Sequence, residues 1–160
     1  MKVNLCNRPV FGLVIPDMAK GPWADIASVI RRTVQSDGHG VCVPLCWDDP
    51  AAVLRHPTVF ARLCAEAGID GVFLRAFTDR KDTRRVLSAL RREKIPVVLL
   101  RINEESSIGG AGFDVVTLRS EGRILPRVAL RLGSVACHAL LQRLAKPSVP
   151  FIDLVLDGCD

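Results

Sequence analysis

The sequence predicts an α/β fold: a doubly wound parallel sheet of about six strands in a flavodoxin-like three-layer α/β/α arrangement. Two observations predict it. Short apolar runs recur along the chain, and segments with apolar residues at helical spacing separate them. Strands that are apolar throughout are typical of parallel sheets covered on both faces. A length of 160 residues suits a single domain.

The first half of the chain supplies two strands and two helical segments. Residues 11–15 and 41–45 are apolar runs and predict strands. Residues 23–36 carry apolar side chains at helical spacing. A second helical stretch runs from Pro50 to Ala67, and Pro57 inside it predicts a break near His56.

The second half repeats the alternation and adds a polar, glycine-rich segment. "NEESSIGGAG" predicts a flexible loop over residues 103–113. The last apolar run alternates enough to predict an edge strand. The predicted strands are 70–74, 95–102, 115–118 and 151–158, and the predicted helices are 79–94 and the segment after Pro126.

The simplest strand order for this alternation is 2-1-3-4-5, with right-handed crossovers. Ligands of such sheets bind beyond the carboxyl ends of the strands. Here those ends are residues 16–20, 46–49, 75–79 and 101–105. We therefore expect any ligand site at this edge of the sheet.

Two tryptophans fall at the predicted binding edge. Trp23 fits the inner face of its helix, so it is either a core residue or a ligand contact. Trp47 follows a strand end and precedes two acids, and both interpretations stay open for it as well. Asp48 and Asp49 also stand where a helix cap is expected, before Pro50.

Net charge is +5 with a pI near 9.1, which weakly favours anionic partners. The stretch "DRKDTRRVLSALRREK" holds seven basic and three acidic residues, a pattern typical of a solvated helix face. The chain has no helix-turn-helix or zinc pattern and no aromatic residues interleaved with its basic ones. We therefore expect no direct DNA binding.

Motifs of common enzymes and metal sites are missing from the sequence. It has no G-x-G-x-x-G, no phosphate-binding P-loop and no G-x-S-x-G elbow. Six cysteines form no C-x-x-C pair and lie mostly among aliphatic residues, which favours buried, reduced thiols. These observations predict a protein without catalytic residues, metal or cofactor.

The expected location is the cytoplasm. The start of the chain, "MKVNLCNRPV", lacks the apolar region of a secretory signal. No apolar run approaches the roughly 20 residues of a membrane helix. We therefore expect neither export nor a membrane partner.

The order of motifs resembles the effector-binding domain of LacI/GalR transcription regulators, relatives of type I periplasmic sugar-binding proteins. "FGLVIPDMAKGPWADIASVIRRTVQSDGHGV" is similar to the first strand, turn and helix of that family, and "LRREKIPVVLLRI" is similar to its "GIPVVLID" segment. The resemblance covers residues 11–102. "PRVALRLGSVACHALLQRLAKPSVPFIDLVLDG" resembles the family's C-terminal helix, linker and strand.

The resemblance implies one lobe of a two-lobed, sugar-binding fold. Residues 1–10 are then an N-terminal extension and residues 11–160 a single lobe with the returning helix; the second lobe and the DNA-binding headpiece are not expected in this chain. It implies a sensor of a sugar-like effector, with a homodimer as a further partner. The half-site at the sheet edge is expected to include Asp17, Trp23, Trp47, Asp48, Arg75 and Arg101.

An alternative function is open on the same residues. In the family, helices of the first lobe contribute to dimerisation, and a face once covered by the second lobe is left uncovered. An exposed apolar face favours an interaction or dimerisation module, or a fragment of a longer regulator that has lost its ligand.

Overall fold

The computed structural model describes residues 8–15, 21–36, 38–45, 49–103 and 112–158. Eleven helices and strands lie within these ranges. The strands are β1 (Val10–Val14), β2 (Val41–Pro44), β3 (Gly71–Arg75), β4 (Val97–Ile102), β5 (Asp114–Arg119) and β6 (Asp153–Asp157). The helices are α1 (Gly21–Ser36), α2 (Pro50–Arg55), α3 (Pro57–Glu66), α4 (Arg80–Arg92) and α5 (Pro126–Ala145).

The described strands form one sheet in which every neighbouring pair is parallel. Their order is β2-β1-β3-β4-β5-β6. The predicted fold class and the predicted order of the first five strands are confirmed. β6 lies at the edge, as its alternating sequence predicts, and its side chains are mostly exposed.

Helices cover both faces of the sheet because successive strand residues point to opposite sides. Phe11 and Leu13 of β1 pack in the core cluster that α1 and α5 share. Val14 of β1 packs in the second cluster, with residues of α2, α3 and α4. The two clusters are the two halves of the core, one on each face of the sheet.

Prolines and a glycine set the helix boundaries on the α2–α3 side. Pro57 starts α3 directly after His56, so the predicted break near His56 is confirmed. After α3, Gly68 takes a positive φ of 78°, which a side chain would oppose. Asp49 does occupy the N-cap position of α2, but its side chain makes no capping hydrogen bond. Its Oδ2 instead pairs with Arg55 Nη2 at 3.0 Å.

Three cysteines fall within the described residues: Cys42, Cys64 and Cys137. All three are buried and none is joined in a disulfide, as the sequence predicts for them.

None of the described helices has the length and hydropathy of a membrane span. Residues 1–7 of the predicted N-terminal extension and most of the predicted flexible loop lie outside the described residues.

Candidate functional site at the carboxyl edge of the sheet

The carboxyl ends of β1 and β3 form the switch point of the sheet. β1 is the strand that pairs with both β2 and β3, so the connections after β1 and β2 leave in different directions. α1 follows β1 on one face, and α2 and α3 follow β2 on the other. Such a reversal leaves a crevice above the strand ends, where ligands of these folds bind.

Trp23 and Arg75 meet at this switch point. Trp23 is in the first turn of α1, and Arg75 is the last residue of β3. The guanidinium carbon of Arg75 lies over the indole, 4.5 Å from the ring centroid, which is cation–π geometry. Trp23 is only 8% exposed and Arg75 is partly exposed. The guanidinium is therefore the more accessible part of the pair, and the buried indole packs against one of its faces.

Arg101 is on the opposite face of the sheet. Arg75 is in register with Leu100, so the alternation of β4 turns Arg101 away from the Trp23 side. Its Nε donates to Thr117 Oγ1 at 3.1 Å, and the arginine is 5% exposed. Arg101 is thus built into the interior at the ends of β4 and β5, on the side of α4.

Three other predicted site residues, Asp17, Trp47 and Asp48, lie outside the described residues. The structure therefore brings together Trp23 and Arg75 and separates Arg101 from them. A binding role for any of the six stays a prediction.

A cavity of about 760 Å³ opens at the same edge, between α2 and the start of α4. The sequence analysis missed most of its lining. Phe77 supplies an aromatic ring, and Asp79, Arg80 and Asp82 supply charged groups of both signs. This volume is within the range of small-molecule sites, roughly 300–1,000 Å³.

A network of hydrogen bonds shapes the loop that borders this cavity. The hydroxyl of Thr83, fully buried, accepts the backbone N–H of Phe77 at 2.9 Å. Asp79 caps α4 by accepting the N–H of Lys81 at 2.7 Å. The sequence "TDRKDT" indicates both the cap and the loop contact, because an acid precedes the helix and a threonine follows one turn later.

Asn103 joins the ends of β4 and β5. Its Oδ1 accepts the backbone N–H of Ser120 at 2.7 Å, and its backbone takes a positive φ of 55°. Asparagine tolerates that conformation better than most residues.

Among the described residues, no three His, Cys, Asp or Glu side chains lie close enough to hold a metal ion.

No family model matches the chain. No curated protein matches it either. Comparison with solved structures finds transcription regulators of the LacI type and periplasmic-binding-like proteins. The regulator CcpA of Lactococcus lactis is 13% identical with a TM-score of 0.49, over 96% of this chain and 60% of that one.

Two further structures have the same TM-score. A periplasmic binding ribose operon repressor protein from Lactobacillus acidophilus is 14% identical at 0.49, over 92% of this chain and 94% of that one. GanP, a glucose-galactose binding protein from Geobacillus stearothermophilus, is 11% identical at 0.49, over 95% and 58%. The chain thus spans about three fifths of the length of CcpA and of GanP. The similarity concerns the fold alone.

Proposed function

We propose that the chain is a ligand-sensing module, and not an enzyme, that binds a sugar-like molecule at the carboxyl ends of β1 and β3. The observation that carries the proposal is the Arg75 guanidinium held over the Trp23 indole at the switch point. The ligand class comes from the resemblance of residues 11–102 to LacI/GalR effector-binding domains.

The chemistry of this pair suits a polyhydroxylated ligand. A guanidinium has five N–H donors in a fixed plane and no acceptor, so it matches the hydroxyl and ring oxygens of a sugar. Contact with Trp23 restricts the rotation of the Arg75 side chain. Less side-chain entropy is then lost when a ligand binds.

The cavity beside Phe77 is a separate feature of this edge. It lies between α2 and α4, on the opposite face of the sheet from Trp23 and Arg75, and neither of these two residues lines it. The proposal therefore rests on the Trp23–Arg75 pair alone.

A thermal-shift screen of hexoses, pentoses and nucleosides, followed by calorimetry of any positive compound, tests the proposal. We expect one class to raise Tm, and R75Q to weaken its binding by about tenfold or more, the effect of losing roughly 1.4 kcal/mol. R62Q is the matched control, because Arg62 is an exposed arginine of α3 away from the site. Absence of any shift, in protein shown by circular dichroism to be folded, contradicts the proposal.

Self-association is a second candidate function, favoured by apolar side chains on both edge strands. Val41 and Val43 of β2 are 42% and 37% exposed, and Leu154 and Val155 of β6 are each 39% exposed. Unpaired strand edges are templates for pairing with another chain. Sedimentation velocity across a concentration range tests it: a dimer that V43K abolishes supports this candidate, and a monomer at every concentration counts against it.

A further inference from the structure

We propose that the groove between α3 and α4, the arginine groove, binds a small molecule that carries a phosphate group. The groove has a volume of about 370 Å³. Its polar lining consists of Thr58 at the start of α3 and Arg84, Arg85, Ser88 and Arg92 of α4. The site is separate from the proposed sugar site, which lies at the ends of β1 and β3.

Helical geometry aligns the groove residues. Arg84, Ser88 and Arg92 are spaced four residues apart, so they form one row along α4 over about 12 Å. Arg85 stands beside this row, and all four side chains are exposed. Buried Ala89 lies between them and α3, so its small side chain lets the two helices form the floor of the groove.

The described residues supply little negative charge to the groove arginines. α4 holds six basic residues and one acid, Asp82. Asp82 reaches Arg85 at 3.6 Å, but both side chains are substantially exposed, and such pairs interact weakly. No ion pair is formed by Arg84 or Arg92 with any described residue. The first turn of α3 contains no acid.

Like charges at helical spacing repel each other, and a bound anion removes that repulsion. Phosphate fits better than a carboxylate, because it carries close to two negative charges at neutral pH and offers three oxygens for forked hydrogen bonds from arginine. The hydroxyls of Thr58 and Ser88 can donate to the remaining oxygens. A bounded groove of this volume also suits a small molecule better than a nucleic-acid strand.

Titration calorimetry with pyrophosphate and with glucose 6-phosphate tests the proposal, with glucose as the uncharged comparison. R85Q/R92Q is the variant to use, because Arg84 also borders the cavity at the carboxyl edge and these two arginines do not. R32Q/R123Q removes two exposed arginines elsewhere and so is matched in charge. We expect the phosphate compounds to bind the wild type, the groove variant to lose at least tenfold in affinity, and the control variant to keep it.

Several outcomes overturn the proposal. The first is that neither phosphate compound binds, and the second is that R85Q/R92Q and R32Q/R123Q weaken phosphate binding equally. The third is that a random 20-base-pair DNA duplex binds more tightly than the phosphate compounds and loses as much affinity in R85Q/R92Q. The last outcome assigns the groove to nucleic-acid backbone. Failure of the proposed sugar site is distinguishable, since glucose binding is expected to depend on Arg75 and to survive R85Q/R92Q.

Discussion

Arg143 of α5 and Asp114 of β5 form a two-point ion pair inside the protein. Arg143 Nε lies 3.1 Å from Asp114 Oδ2 and Nη2 lies 3.0 Å from Oδ1, with the residues' side chains 7% and 3% exposed. The same guanidinium donates to the carbonyls of Pro147, Val149 and Pro150. Asp114 in turn accepts the N–H of Ile152 at 3.0 Å. The pair therefore fastens the turn after α5 to the sheet and brings β6 alongside β5.

Replacing Arg143 is expected to lower the free energy of unfolding more than replacing Asp114. R143M leaves a buried carboxylate and three carbonyls without their donor, and we expect a loss of about 3–5 kcal/mol in the free energy of unfolding. D114N leaves Arg143 with its three carbonyl acceptors, and we expect about 1–3 kcal/mol. Urea unfolding measures both.

Hydrogen exchange locates the effect of the same variants. We expect the amides of β6 to exchange faster in R143M than in the wild type. The amides of β1 are expected to keep the same exchange rates relative to one another, because three strands separate β1 from β6. R131M, at another exposed arginine of α5, is the control for loss of charge. Equal costs for R143M and R131M contradict the role given to the ion pair.

Thr83 offers a test of how the loop beside the cavity is held. T83V removes the acceptor of the Phe77 N–H in a fully buried place, so we expect a loss of about 1–3 kcal/mol. T83S keeps the hydroxyl and removes one methyl group, worth about 0.8 kcal/mol. Chemical unfolding of the two variants compares them. If T83S destabilises as much as T83V, packing and not the hydrogen bond positions the loop.

The fold was largely predictable because its signals are local. Strands buried on both faces give apolar runs, and the break between α2 and α3 has a proline as its cause. Asp49 shows the limit of such signals. Its position before Pro50 is correct for a cap, yet its carboxylate pairs with Arg55 six residues on, which depends on side-chain conformation.

The candidate site was predictable only in part because contacts across the sheet depend on geometry. The carboxyl edge followed from the strand order, and it brought Trp23 and Arg75 to one place. Their stacking joins residues far apart in sequence, and no local pattern encodes it. Arg101 is different: the alternation of β4 already places it on the face of Leu99, opposite to Leu100.

Gly133 sets the distance between α1 and α5. A Cβ at this position would lie 2.9 Å from Val29 Cγ1 and 3.2 Å from the Ile26 carbonyl oxygen. Alanine favours a helix over glycine by about 1 kcal/mol, whereas overpacking costs about 1–3 kcal/mol. Since a backbone atom is among the close contacts, we expect packing to dominate and G133A to destabilise in thermal and urea unfolding.

A double-mutant cycle separates the two effects at Gly133. V29A removes the closest methyl group, so G133A is expected to cost at least about 1 kcal/mol less in the V29A background than in the wild type. S134A, on the next residue of α5, is the control for a change of helix propensity without close contact. An unchanged cost of G133A in the V29A background contradicts the contact with Val29.

The buried thiol of Cys42 is expected to make the protein less stable at alkaline pH. Burial raises the pKa of its thiol from 9.0 to about 11, against a smaller opposing effect of Arg31. Below pH 9 the thiol is protonated in both states and the full stability is present. Between about pH 9 and 11 the unfolded chain loses the proton while the folded chain keeps it, so stability falls as pH rises.

C42A isolates this effect because alanine fits a small buried site and does not titrate. We expect the free energy of unfolding of the wild type, relative to C42A, to be constant up to pH 9 and to fall by up to about 2–3 kcal/mol by pH 11. Urea unfolding at half-unit pH steps measures the difference. The ionisation of the other cysteines affects both proteins equally and so does not contribute to it. Reaction with a thiol reagent at pH 8 is expected to be slow at Cys42 for the same reason, since only the thiolate reacts. A wild-type curve parallel to that of C42A up to pH 11 shows that the thiol ionises equally in the folded and unfolded chains.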